Sequence, residues 1–356
     1  MLSLADPRWY AALPAVGPGP SVRWGSDAFR AELGQWVEEA LGESGLALAG
    51  MEDVHQRPWS TVWKVTATDG STHWAKQNCP HQQFEARLLP VLHRLAPDRV
   101  VPVEATDPAR GLILLADQGA VFAVTVAPDD LDAWCRLAAE AMLLQRELEG
   151  HQAELVEAGL SPVTPSDAVV YVQARAAALA ALPGGDARRL APGDLDRLTG
   201  LLPTVAQWST QLAGLGLPDT LVHNDLHANN VFATPQGMRF FDFGDAVLAH
   251  PLSALLVPLN VLLHRLEATP DDARLVRVAA AGLEVWSDVA PVAELWAALP
   301  AALHLARLAK AESWLRVTAT LTPEELTQDG DSGTWWLAAL GDPTPVGVSG
   351  VSGFVA

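Results

Sequence analysis

The stretch 221–245 constrains this chain more than any other. It opens Leu221-Val222-His223-Asn224-Asp225-Leu226-His227-Ala228-Asn229-Asn230-Val231-Phe232. After Ala233 it continues Thr234-Pro235-Gln236-Gly237-Met238-Arg239-Phe240-Phe241-Asp242-Phe243-Gly244-Asp245. Proline second and glycine fourth make 234–237 a type I turn. The apolar runs on either side then pair as a hairpin. Pairing brings Asn230 and Asp242 to one end of it, with Asp225 in the loop just before. Two carboxylates and an amide oxygen thus converge where a hard cation is coordinated.

Phosphoryl transfer asks for this set. It needs a carboxylate that orients the attacking hydroxyl and accepts its proton, and oxygen ligands for a Mg²⁺ that bridges the β- and γ-phosphates. The pattern H-x-D-x-x-x-x-N followed by D-F-G is met at His223, Asp225, Asn230, Asp242, Phe243 and Gly244. Two rival readings stand beside it. His223, Asp225 and His227 alternate, as metallohydrolase ligands on a strand would, but D-F-G is then idle. A purely structural cluster would bury Asp and Asn at a cost in stability.

The segment resembles the aminoglycoside phosphotransferase family, which shares its fold with choline kinases and, more distantly, protein kinases. In that family the loop commonly reads H-G-D-L-H-x-x-N, and Asp225-Leu226-His227 and Asp242-Phe243-Gly244-Asp245 suit it. A protein kinase favours lysine at the position of His227 and needs an activation loop ending in A-P-E. Here Asp245 runs almost directly into His250-Pro251 and a helix, which disfavours protein substrates.

The resemblance implies ATP or GTP as co-substrate, Asp225 as the catalytic residue, and Mg²⁺ on Asn230 and Asp242. It implies a strand lysine for the phosphates, Lys76, with Lys64 as the alternative, and a helix glutamate to pair with it, Glu85. Adenine is expected at the hinge backbone from Leu114 to Asp117, with Leu115 and Phe241 either sandwiching it or belonging to the core. One departure is the absence of G-x-G-x-x-G before Lys76. Ser60 and Thr61 are then the candidates to bind phosphate through hydroxyls and backbone N–H groups. The acceptor is expected between the catalytic loop and the C-terminal helices, with acidic residues for amines. Asp245 and Glu312 are the candidates, Glu312 reading better as salt-bridged. Trp314, Trp335 and Trp336 are candidates to stack on a sugar, or are core. The alternative function is a nucleotide-binding pseudokinase scaffold. Such proteins usually lose one of the metal-site positions, and all are intact here.

Away from this segment the periodicity changes twice. Residues 1–25 read as an irregular lead-in, and Ser26-Asp27 caps a helix over 28–41. Strands are predicted at 46–54, 61–68 and 72–77, with 55–59 as an interruption and Asp69-Gly70 as a hairpin turn. A helix over 82–95 and strands at 100–104 and 112–115 follow. Beyond Ala116 helical periodicity dominates, at 131–150, 167–182, 194–214, 252–268, 271–286 and 291–318. The expected fold class is therefore α+β, bilobal and protein-kinase-like. A small β-rich nucleotide lobe spans 40–116, a hinge 117–119, a mainly helical lobe 120–344 and a loose tail 345–356.

Composition narrows the partners. With 356 residues, 49% hydrophobic and 18% charged, the chain can fill two lobes. A net charge of −19, with only three lysines (Lys64, Lys76 and Lys310), argues against nucleic acid. The same acidity either steers a cationic acceptor or simply keeps the surface soluble. Cys79 and Cys135 form no paired pattern, which points to a reducing, cytoplasmic setting. The start of the chain lacks the basic and apolar regions of a signal peptide. The apolar stretch 248–266 contains His250, Pro251, Pro258, His264 and Arg265, so it reads as a buried helix rather than a membrane span.

Overall fold

The computed structural model describes residues 19–234 and 237–347. Among the described residues two helices come first, α1 (Pro20–Trp24) and α2 (Asp27–Glu43). Helix α1 falls inside the expected irregular lead-in. Proline starts it at a position where a missing N–H costs nothing. Trp24 ends it, buried, with its indole N–H donating to Gln77 Oε1 at 2.6 Å. The Ser26 hydroxyl caps α2 by accepting from the Phe29 N–H at 3.2 Å.

The strands β1 (Leu48–Arg57), β2 (Ser60–Ala67) and β3 (Thr72–Asn78) precede helix α3 (Glu85–Leu95), and β4 (Val103–Asp107) and β5 (Leu112–Ala116) follow it. They form one antiparallel sheet in the order β1-β2-β3-β5-β4. Side chains alternate between its faces. Trp63, Val65, Ala75, Leu112 and Leu114 pack against Phe29, Leu33, Trp36 and Val37 of α2. Val62, Trp74, Lys76, Ile113 and Leu115 face the other way and line a cleft. The expected interruption at 55–59 shrinks to Pro58-Trp59, because His55, Gln56 and Arg57 still pair with Val62, Thr61 and Ser60. The edge strand β1 is exposed over most of its length, so no apolar period marks where it ends.

Asp117-Gln118-Gly119 leads into the second lobe. Its first part comprises α4 (Phe122–Thr125), α5 (Leu131–Glu147), α6 (Gln152–Glu157), β6 (Ser161–Pro162), α7 (Ala168–Ala180) and α8 (Pro192–Gly214). Four short strands follow: β7 (Thr220–Val222), β8 (Val231–Thr234), β9 (Gly237–Phe240) and β10 (Val247–Ala249). Helices α9 (Leu256–Arg265), α10 (Ala273–Glu284), α11 (Val292–Thr318), α12 (Pro323–Asp329) and α13 (Ser332–Ala338) complete it. Strands β8 and β9 pair with Val231 opposite Phe240. Pro235 and Gln236 of the expected type I turn lie outside the described residues. Strand β10 runs between β6 and β7 and anchors the segment after Asp245.

Helix α11 is the centre of this lobe. Among the described residues it alone is long and apolar enough to cross a membrane, and 67% of its most apolar window is buried inside the protein. It also carries four buried charges, Arg307, Lys310, Glu312 and Arg316. Each finds a partner, as burial of charge requires. The expected loose tail starts inside the fold. Val346 is fully buried, and the Pro345 carbonyl accepts from the Asp271 N–H at 3.0 Å. Residues 348–356 lie outside the described residues.

Candidate active site

The hairpin β8–β9 forms the floor of the site. The loop before it carries His223, Asn224 and Asp225, and the loop after it carries Asp242. Asn224 and Asp242 both have positive φ, 63° and 64°. Non-glycine residues adopt that region only when their surroundings hold them there. One such tie is His223, whose Nε2 is 2.8 Å from the Phe241 carbonyl and whose ring packs on Phe243. Burial holds the His223 pKa below its usual value, so the ring is neutral. Its Nε2 is thereby committed to the backbone. No group of three or more His, Cys, Asp or Glu is placed to hold a metal ion among the described residues. The metallohydrolase reading of His223, Asp225 and His227 finds no support in this geometry.

Above the floor stands Lys76 of β3. Its Nζ lies 2.7 Å from Glu85 Oε2 and 2.6 Å from Asp242 Oδ1. Burial opposes its charge, but the Asp242 and Glu85 carboxylates outweigh burial and raise its pKa. Glu85, itself buried, also accepts from Asn78 Nδ2 at 2.6 Å and from the Phe243 N–H at 2.8 Å. It therefore ties the sheet, α3 and the Asp242 loop together. The Lys64 alternative does not line the cleft.

Asn230 sits at the base of β8. Its amide nitrogen donates to the Asp225 carbonyl at 2.9 Å and to Asp225 Oδ2 at 3.3 Å. The amide oxygen is then the atom left for a cation. Asn230 and Asp242 supply an oxygen pair of the kind Mg²⁺ uses when substrate phosphates and water complete its shell. The donor set fits such an ion.

Asp225 faces a second lysine. Lys310 Nζ, from α11, lies 3.2 Å from Asp225 Oδ1 and 3.7 Å from Asp245 Oδ2. His227 Nε2 lies 3.3 Å from Asp225 Oδ2. Burial opposes the charge on Asp225, but Lys310 first and His227 next hold its carboxyl well below the usual range. Lys310 is raised in turn by Asp225 and Asp245, against burial.

Between the lobes lies a cleft of about 250 Å³. Val62, Ile113 and Leu115 cover it from the sheet, and Phe232 and Phe241, stacked at 4.6 Å, line it from the hairpin. Lys76, Glu85 and Asp242 close its inner end, and Asp117, Gln118 and Gly119 border it at the hinge. The Asp117 carboxylate accepts from the Trp74 indole N–H at 2.8 Å.

The sequence matches the phosphotransferase enzyme family (APH) over residues 53–295. The chain belongs to that family. No curated protein matches its sequence significantly. Solved structures share its fold. An ethanolamine kinase from Plasmodium vivax is 10% identical, with 94% of this chain and 97% of that one covered, at a TM-score of 0.63. Amicoumacin kinase in complex with AMP-PNP, Ca²⁺ and Ami is 14% identical, covers 90% and 95%, and has a TM-score of 0.54. A putative fructosamine-3-kinase from Thermobifida fusca is 18% identical, covers 85% and 96%, and has a TM-score of 0.51. The phosphotransferase therefore has the two-lobed, protein-kinase-like fold.

One sequence expectation needs correction in this phosphotransferase, and two carboxylates with alternative readings find partners inside the protein. Thr61 is fully buried on the α2 side of β2, and its hydroxyl accepts from the Trp63 indole at 2.9 Å. It points away from the cleft, because one residue along a strand reverses the face. Ser60 lies on the cleft side of that alternation, at the start of β2. Glu312 is sealed inside α11's packing, bound by Arg175 Nη2 at 2.8 Å and the Tyr171 hydroxyl at 2.6 Å. It offers nothing to an acceptor. Asp245 accepts from Gln82 Nε2 at 2.7 Å as well as facing Lys310, so its charge is met internally.

The sequence reading also missed residues. Val62, Trp74, Val101 and Phe232 line the cleft. Phe232 carried a signal, standing two residues after Asn230 in a hairpin strand and so on the same face. Lys310 carried a weaker one, as one of only three lysines in the chain, set within a long helical stretch.

Proposed function

We propose that this phosphotransferase is a small-molecule kinase. It transfers the γ-phosphoryl group of ATP, or of GTP, to a hydroxyl group of a small acceptor. The observation that carries the reading is the convergence of Asp225, Asn230, Asp242 and the Lys76–Glu85 pair at the inner end of the cleft. The apolar walls Val62, Leu115, Phe232 and Phe241 suit a purine base. Lys76, held by Glu85, takes the nucleotide phosphates. Asn230 and Asp242 would hold a Mg²⁺, which would supply neutralisation of the phosphate charge. Asp225 receives the acceptor hydroxyl as a hydrogen-bond donor and takes its proton. With its basicity reduced by Lys310, it takes that proton late, as a largely dissociative transfer permits. AMP-PNP and Ca²⁺ in one fold neighbour support a nucleotide and a divalent ion in the cleft. A cytoplasmic setting, with its ATP and reducing conditions, is part of the proposal and agrees with two free cysteines.

For the acceptor, both carboxylates first considered for an amine are occupied. A second cavity of about 250 Å³ lies between α11 and α13, walled by Trp314, Trp335 and Trp336 with Asp331 at its edge. Trp314 is one helical turn beyond Lys310 and so on the same face of α11. It also meets Trp59, at the tip of the β1–β2 hairpin, edge-on at 5.5 Å. Indole walls suit a sugar or a cationic ring beside one carboxylate. The acceptor is accordingly proposed as a sugar, amino sugar, aminoglycoside or amino alcohol, its body against these indoles.

The test is consumption of MgATP or MgGTP against amino sugars, aminoglycosides, choline-like alcohols, macrolides and simple sugars. Turnover with at least one acceptor is expected, and its loss by about 10³-fold in Asp225→Asn and Asp242→Ala in folded protein. Turnover retained in both variants overturns the reading, and silence across the panel with tight nucleotide binding favours a scaffold.

A further inference from the structure

Lys310 lies beyond residues 53–295, the part of the chain that matches the family. It lies 85 residues downstream of Asp225, the catalytic-loop residue it contacts, on helix α11. Its side chain is 7% exposed, and its ammonium meets two carboxylates from different segments, Asp225 before the β8–β9 hairpin and Asp245 after it. The helix that carries it is itself docked onto those segments. Asn224 Nδ2 donates to the Ala309 carbonyl at 2.9 Å and to the Asp245 carbonyl at 3.2 Å. Arg316 Nη2 donates to the Asp245 and Ala246 carbonyls, each at 3.3 Å. The Lys310 backbone is thus fixed on both sides relative to the loop it serves.

The consequence falls on Asp225. Its Oδ1 meets Lys310, and its Oδ2 meets Asn230 Nδ2 and His227 Nε2. A carboxylate gripped at both oxygens has one orientation, and 33% of the side chain stays open. The open side is where a hydroxyl must arrive. A buried ion pair is weak evidence for stability, since apolar side chains of similar volume often replace one without loss. What an apolar side chain does not supply is a fixed positive charge on the carboxylate that orients the attacking group. Positioning of reacting groups is worth large factors in rate.

On the reading of Asp225 as the residue that orients the acceptor, we propose that Lys310 is a positioning residue for phosphoryl transfer: it holds Asp225 in its reactive orientation and locks the catalytic loop to the Asp245 segment. The step it serves is balanced without any further reactant. The acceptor oxygen bonds to the γ-phosphorus, the bond to the β-phosphate oxygen breaks with its electron pair leaving on the nucleoside diphosphate, and the hydroxyl proton passes to Asp225 and then to solvent. Lys310 touches neither substrate.

The test compares wild type, Lys310→Met, Lys310→Ala and Asp225→Asn in MgATP turnover. The acceptor is the best one from the panel or, failing that, water. Thermal unfolding and binding of a fluorescent ATP analogue are measured alongside. For Lys310→Met, kcat is expected to fall at least 100-fold, while KM for MgATP and analogue affinity stay within about threefold. Adding ethylammonium to Lys310→Ala is expected to restore turnover at least tenfold, and ethanol, a neutral molecule of similar size, is expected not to. A kcat within threefold of wild type in Lys310→Met overturns the proposal. So does equal rescue by both additives, or by neither, which reduces Lys310 to packing. If neither variant folds, the wild-type protein labelled with ¹⁵N at its lysine side chains decides, because there are only three. The Lys310 signal is expected to shift when MgADP and aluminium fluoride bind, and an unmoved signal overturns the role. If Asp225→Asn keeps turnover, the reading of Asp225 on which this proposal rests fails. If Asp225→Asn is dead and Lys310→Met is not, only the role of Lys310 fails.

Discussion

Two buried lysines organise this site, and they do so in parallel. Lys76 stands on a strand of the small lobe and bridges Glu85 and Asp242 at 2.7 and 2.6 Å. Lys310 stands on the core helix of the large lobe and bridges Asp225 and Asp245 at 3.2 and 3.7 Å. In each case burial opposes the ammonium and two carboxylates outweigh it. The surroundings differ. Lys76 lies at the inner end of a cleft with apolar walls, where the proposed nucleotide would bring its phosphates. The Lys310 side chain is 7% exposed and meets carboxylates from the loops on both sides of the β8–β9 hairpin. On the proposed reading, the lysine that borders the cleft takes ligand and the lysine at the loop junction sets geometry.

The largest expected effect breaks the first bridge. Lys76→Met is expected to weaken nucleotide binding and lower turnover by about 10²–10³-fold, read by fluorescent ATP-analogue titration and steady-state kinetics. Unchanged affinity for the nucleotide removes Lys76 from the comparison. Lys310→Met, by contrast, is expected to move kcat alone.

Next comes a charge cluster that belongs to the scaffold. Glu312→Gln leaves Arg175 buried without its counter-ion and is expected to destabilise the fold by about 3–5 kcal/mol in denaturant unfolding. Because Glu312 does not reach the acceptor, kcat/KM below the unfolding range should stay near wild type. A selective rise in acceptor KM instead would return Glu312 to the site.

A smaller effect separates site chemistry from pH sensitivity of the core. Burial pushes His250 down to about 3, and neither ring nitrogen has a hydrogen-bond partner among the described residues. The unfolded chain binds a proton there near pH 6.5, and the native protein refuses it until about pH 3. This contribution to stability is intact above pH 6.5 and lost progressively as pH falls. The loss is about 1.4 kcal/mol per unit, hence roughly 2 kcal/mol by pH 5. His250→Leu is expected to flatten that limb of the stability–pH curve, and an unchanged slope would place the acid sensitivity elsewhere.

The smallest effect concerns the indole cavity. Trp335 is 59% exposed, so Trp335→Ala is expected to alter stability by less than about 0.5 kcal/mol. Loss of one stacking wall is expected to raise acceptor KM about five- to tenfold with kcat unchanged. An unaffected KM would put the acceptor body on another surface.

What could be read in advance followed from sequence distance. Asp225, Asn230 and Asp242 lie within eighteen residues across one hairpin, so strand pairing alone brings them together. Trp63, Val65, Ala67 and Ala75 announce their strands because one face is buried and the other is not. Strand β1 hid its end because both its faces are open. Thr61 was misassigned for a related reason: hydroxyl chemistry was read from residue type, and strand parity decides the face. Short elements such as α6, α12 and β10 carry too few residues to establish any period.

The sequence by itself determined the chemistry of the hairpin, the two-lobed order of strands and helices, and the scarcity of lysine in a strongly acidic chain. Those properties are local, or are sums over composition, and need no third dimension. Only the tertiary structure decided which lysines and carboxylates meet. Glu312 and Lys310 stand two residues apart on the same helix, yet one is turned to Arg175 and the other to Asp225. A helix advances about 100° per residue, so residues two apart face different neighbours, and packing of α11 against α7 and the catalytic loop chose them.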